Sequence, residues 1–159
     1  MVRPPRTQRA LLAALAVVLV VSAAAFVATA SAQLAWQQRD SIDFQPTDYE
    51  LVDDDDPRLR VSLEVTNPTS VDAQFRVGSV VVYDGDPAEG AALSVPRSER
   101  LADGREATVA AGATATVTLV ASVPGDTVEA ARAAIESDRA VTSGTFAVTL
   151  RERSYEANV

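Results

Sequence analysis

The stretch RLRVSLEVTNPTSVDAQFRVGSVVVY, residues 58–83, decides the fold. Leu59, Val61, Leu63 and Val65 fall on one side of an extended chain, and Arg60, Ser62, Glu64 and Thr66 fall on the other. That two-residue period belongs to an antiparallel strand with one face buried and the other in water. Asn67-Pro68-Thr69-Ser70 then interrupts the pattern. Proline fixes φ and lacks an N–H, and Asn and Ser bond locally to turn backbone, so the segment reads as a hairpin turn. Val71, Ala73, Phe75 and Val77 continue inward, and after Gly78 the parity slips so that Val80 and Val82 carry it on. A one-residue slip at glycine predicts a β-bulge and a strand that bends around a core.

A second hairpin is expected through EATVAAGATATVTLVASVP, turning at Ala111-Gly112, with Ala113, Ala115, Val117, Leu119, Ala121 and Val123 inward against Thr114, Thr116 and Thr118. DTVEAARAAIESD reads as the one helix of this region, opened by a capping box of Asp126 and Glu129, with Val128, Ala131 and Ile135 on one stripe. After Ser143-Gly144 the last strand, TFAVTLRER, places Phe146, Val148 and Leu150 inward. Upstream, DYELVD offers a short strand through Tyr49 and Leu51, and AALSV another before Pro96, while RSERLADGRE reads as solvated. The expectation is an all-β fold: an immunoglobulin-like antiparallel β-sandwich of about seven strands with one late α-helix, preceded by a transmembrane helix. Aromatic residues are 5% of the chain, so its core is drawn mainly from Val, Leu and Ala.

From Ala10 to Ala32, ALLAALAVVLVVSAAAFVATASA carries no charge. As a helix it reaches ~34 Å at 1.5 Å per residue, enough to span a bilayer. Arg3, Arg6 and Arg9 precede it and an acidic domain follows, which by the positive-inside rule leaves the N-terminus in the cytoplasm. Trp36 stands where an interfacial aromatic anchor would. The competing reading is a cleavable signal peptide, because Ala30-Ser31-Ala32 forms an A-x-A site that would free Gln33. The uninterrupted apolar run exceeds the roughly 7–15 residues of a signal core. Residues 1–9 are thus expected as a cytoplasmic basic segment, 10–32 as the anchor, 33–46 as a polar stalk containing Pro46, with an irregular first strand as the other reading of this stretch, and 47–159 as the folded domain.

Histidine and cysteine are absent, which removes disulfides, thiolate nucleophiles, Ser-His-Asp triads and the commonest zinc ligands. The chain has 14 basic residues, all arginine, and 22 acidic ones, all at or after Asp40, for a net charge of -8. Such a domain repels nucleic acid phosphates and anionic lipid headgroups, so no nucleic acid partner is expected. Acidic excess without lysine also resembles the proteins of salt-loving archaea, in which screening by salt permits a self-repelling chain to fold, the alternative being a GC-rich genome that disfavours lysine codons.

Two acidic stretches invite a metal reading. Asp53 to Asp56 could offer oxygens to calcium, but consecutive residues on an extended chain point in alternating directions. Asp84, Asp86 and Glu89 in DGDPAEG lack the EF-hand spacing and read as a turn. No catalytic residue, cofactor or metal site emerges. The anchor contains no G-x-x-x-G.

LRVSLEVTNPTSVDAQFRVGSVVVY resembles the strand, Asn-Pro turn and bending strand of LEA14-like domains (LEA type 2, water stress and hypersensitive response), and GREATVAAGATATVTLVASV resembles that family's second long hairpin. The resemblance covers roughly residues 47–153, and its motif positions here are Asn67 and Pro68, whose implied role is turn formation. It implies a β-sandwich with a binding or stress-protective role, frequently membrane-anchored, and no enzymatic activity. The expectation is therefore a single-pass protein of the cell membrane with its C-terminal domain extracellular and an exported protein as partner. The alternative is a secreted structural or accessory subunit of a membrane complex, released by signal peptide cleavage.

Overall fold

A computed structural model describes residues 6–159; Arg3 and the rest of residues 1–5 lie outside it. Helix α1 runs unbroken from Arg6 to Gln37, through the whole apolar segment. Beyond it the chain is mostly β, with β1 (Asp43–Val52), β2 (Arg58–Asn67), β3 (Ala73–Asp84), β4 (Arg100–Leu101), β5 (Ala107–Val109), β6 (Ala113–Ser122), helix α2 (Val128–Glu136), β7 (Ala140–Leu150) and β8 (Arg153–Asn158). The strands form two antiparallel four-stranded sheets, ordered β1-β2-β6-β4 and β5-β3-β7-β8.

The sheets share one core. Leu59, Val61, Leu63 and Val65 of β2 are fully buried, as the alternation predicts, and face Ala73, Phe75, Phe146 and Val148 of the other sheet. Phe44, Phe75 and Phe146 form an aromatic cluster at its centre, with Phe44 and Phe146 stacked and Phe75 edge-on to both. The expected bulge occurs: the β3–β7 register shifts between Val77 and Ser79, and Val80 and Val82 return to the core. Gly78 is small there for a reason, since a Cβ would come within 2.8 Å of the Thr145 carbonyl oxygen.

Both expected hairpins are instead sheet-switching arches. β2 pairs with β1 and β6, whereas β3 pairs with β5 and β7, so Asn67-Pro68 carries the chain from one sheet to the other. The Ala111-Gly112 turn likewise joins β5 of one sheet to β6 of the other. A strand alternates identically whether its successor pairs beside it or crosses above it, so the pattern alone carries no information on this point.

Of the two readings of residues 33–46, the irregular first strand holds from Asp43 and the stalk does not. α1 extends to Gln37, a 3-10 turn spans Arg39–Ser41, and Ile42 and Phe44 enter the core. β1 accommodates Pro46 as an edge strand does, with a register shift between Pro46 and Asp48. There are eight strands among the described residues, because two elements replace expected loop: β4, whose Leu101 is buried, and β8, which turns back at Arg151-Glu152. AALSV makes only an isolated bridge between Tyr83 and Ala92. α2 starts one residue later than the expected capping box: Thr127 occupies the N-cap, without a side-chain cap bond. Val128, Ala131 and Ala134 are its buried stripe, and Ile135 is half-buried.

Candidate functional surface

The elements run between two ends, one adjoining α1 and one remote from it. At the α1 end lie the β2–β3 arch, the β5–β6 arch and the β7–β8 turn. Asn67 organises the first two. It is fully buried, and its Nδ2 donates to the carbonyls of Val71 (2.9 Å), Val109 (3.1 Å) and Ala110 (3.1 Å). Its Oδ1 accepts from the Thr69 N–H at 3.1 Å and lies 2.7 Å from Thr69 Oγ1. The Gly112 N–H donates to the Thr69 carbonyl and the Ala111 N–H to Asp72 Oδ1, so the arches are tied together. Asn67 thus acts as a structural clasp, and Pro68 follows it directly in the arch.

The last turns of α1 lie against this same end. Ala28, Ser31, Ala32, Ala35 and Trp36 recur at the three- and four-residue spacing of one helix face. Ala35 is fully buried, and Ser70 Oγ donates to the Ser31 carbonyl at 3.4 Å. Small residues here let the helix approach the domain closely. The A-x-A sequence at 30–32 therefore lies inside a continuous, packed helix.

Trp36 is held on several sides. Tyr155 of β8 meets it edge-on at 6.0 Å, and the guanidinium groups of Arg39 and Arg153 sit over its ring at 5.0 and 5.4 Å. The Tyr155 hydroxyl donates to the Arg39 carbonyl at 2.7 Å. Burial, aided by the Asp40 carboxylate and opposed by Arg39, pushes the Tyr155 phenol up to about 12. Beside this cluster, α1 and the β7–β8 turn border a groove of about 330 Å3, lined by Ala28, Ala32, Trp36, Arg151 and Arg153 among others. Arg39, Arg151, Arg153 and Tyr155 are invisible to strand alternation; the signal that points to them is the small-residue face of α1.

The remote end has the opposite character. Asp53 to Asp56 fill the β1–β2 turn, Asp84, Asp86 and Glu89 the loop after β3, and Asp126 and Asp138 flank α2. Three arginines there are engaged: Arg132 with Asp53 at 2.5 Å, Arg58 with Asp56 at 2.7 Å, Arg139 with Asp84 at 3.0 Å. Asp54 Oδ1 caps the Asp56 N–H, and Asp86 Oδ1 that of Ala88, which are turn bonds. Among the described residues no three acidic side chains converge as a metal site would require. Between the ends, the half-buried Glu99 bonds to Ser94 through Oε1 while its Oε2 has no partner, and burial raises its pKa above the ordinary carboxyl value.

No protein-family model matches this chain, and no curated protein matches it.

Proposed function

We infer that this is a single-pass envelope protein whose C-terminal domain, an immunoglobulin-like β-sandwich of the LEA14-like kind, lies outside the cell and works without catalysis. Its role is that of a hydrated, acidic, stress-protective module held at the membrane surface. The observation that carries this reading is the contrast along α1. Leu11, Phe26 and Val27 are 71%, 74% and 62% exposed and the span is long and apolar enough to cross a membrane, while Ala35 is fully buried in the domain. A bilayer supplies the missing cover for the first part, and the second part fixes the domain beside it.

The domain's own surface supports protection over capture of an apolar partner. Among the described residues, the exposed large hydrophobic side chains lie on α1, with Val95 alone on the domain. An apolar docking site would show a contiguous patch of a few hundred Å2. The lysine-free acidic composition supports a saline habitat.

The test is to tag the C-terminus, wash membranes with alkaline carbonate and measure the intact mass. Retention in the pellet with residues 10–32 still attached, and digestion of the domain by protease added outside intact cells, are expected. A chain that begins at Gln33 and washes off would overturn the anchor and favour the secreted alternative.

A further inference from the structure

We propose that the groove between α1 and the β7–β8 turn binds the phosphodiester headgroup of an anionic phospholipid, through Arg151 and Arg153. The proposal rests on the reading of α1 as a membrane anchor, and three observations carry it.

Depth comes first. Counted from Ala10, the ~20 helical residues needed to cross a ~30 Å hydrocarbon layer run out at about Thr29. The helix side of the groove runs from Ala28 and Thr29 through Ala32 and Gln33 to Trp36, which sets it from the level of the headgroups outward.

Charge comes second. Whole-chain composition predicts repulsion of anionic lipid, and acids stand at both ends, Asp53 to Asp56, Asp84, Asp86 and Glu89 at the remote one and Asp40, Asp43, Asp72 and Glu152 at the α1 one, but in the lining of the groove arginine outnumbers acid. Arg151 and Arg153 are exposed, and no ion pair among the described residues engages either. Glu152 is the one acid lining the groove. A guanidinium fork matches a phosphate geometrically, and the apolar helix side accommodates the adjoining glycerol and upper acyl chain.

Backbone strain comes third. Arg151 adopts φ 56, a conformation that glycine takes at far lower cost. Arg97 and Asp138 share this conformation, and at Arg151 it turns the chain so that the guanidinium lies at the lining of the groove.

Trp36 is the chain's one tryptophan and lies at the groove, so its fluorescence reports occupancy. The full chain is incorporated into phosphatidylcholine nanodiscs containing phosphatidylglycerol, with a nitroxide near the headgroup of one lipid or the other. Labelled phosphatidylglycerol is expected to quench Trp36 more strongly than labelled phosphatidylcholine. R151Q, which leaves the Arg153–Trp36 stack in place, should reduce that preference on the order of fivefold. R151Q/R153Q should abolish it, and R100Q on β4 should leave it intact, with circular dichroism verifying the fold of each. Equal quenching by both lipids, a preference surviving in R151Q/R153Q, or an equal loss in R100Q would overturn the site while leaving the anchor standing. Failure of the wild-type chain to float with plain phosphatidylcholine vesicles would overturn the anchor, and the site with it.

Discussion

Phe44 of β1 lies flat against Phe146 of β7, with ring centroids 4.6 Å apart and planes 6° from parallel, and so joins the two sheets at the centre of the core. Removing a buried phenylalanine costs ~3–5 kcal/mol through lost burial and the cavity left behind. F44A should therefore lower the denaturant midpoint sharply. A chain beginning at Thr47 should fail to give a cooperative transition, whereas one beginning at Gln33 should fold. Cooperative unfolding of the chain from Thr47 would show that β1 is dispensable.

Asn67 yields a sharper test, because the chemistry of one atom is at stake. N67D keeps shape and size but turns the donor facing three carbonyls into an acceptor. Both N67A and N67D should cost about 3 kcal/mol, since the buried carbonyls lose their partner in either case. If N67D melts like the wild type, the clasp contributes nothing.

Gly144 sits opposite the β3 bulge at φ 152, and a Cβ there would come within 2.0 Å of the Ser79 carbonyl oxygen. G144A should prevent folding or lower the melting temperature by well over 10 °C, as a substitution costing ~3 kcal/mol would in a domain of this size. G125A, in open space, serves as the control and should be near neutral. A folded, stable G144A would mean the bulge can shift.

The acidic remote end makes stability depend on salt. Between about 0.1 M and 1 M salt the Debye length falls from ~10 Å to ~3 Å, and repulsion among Asp53 to Asp56 and their neighbours should weaken accordingly. The melting temperature should climb over that range. A value indifferent to salt would remove the saline-habitat reading.

Glu99 contributes in the acid range. A carboxyl whose folded-state pKa is raised by burial holds its proton more tightly folded than unfolded. Its contribution is therefore greatest below the unfolded value and is lost as pH rises through the folded one. E99Q, which cannot ionise, should flatten the decline in melting temperature from about pH 4.3 upward relative to the wild type. Parallel curves would show that Glu99 titrates alike in both states.

β2, the bulge at Gly78 and the stripe of β6 are legible in the sequence because each carries a polar face against an apolar one. β1 is legible only in its second half, through Tyr49 and Leu51, because Gln45-Pro46-Thr47 dilutes the pattern before it and leaves Phe44 isolated among polar neighbours. β4 has two residues and β8 only Tyr155 and Ala157 turned toward the core side, too few to establish a period. Pairing is a different kind of information: what distinguishes an arch from a hairpin here is the destination of the Asn67 amide, which bonds to residues more than 40 positions away. The groove at the base of the domain is legible only in part, since the arginines around it come from a turn whose strands the alternation does not reveal.

α1 passes into the domain without a break, and its final turn is packed rather than tethered. If α1 crosses a bilayer as proposed, the domain packed on its last turn would lean with it. A strand of 12 residues such as β3 extends about 40 Å. The ~20° tilt common among membrane helices would swing the acidic tip sideways by about 14 Å. On that reading, a change in membrane thickness that altered the helix tilt would also displace the acidic crown of the protein.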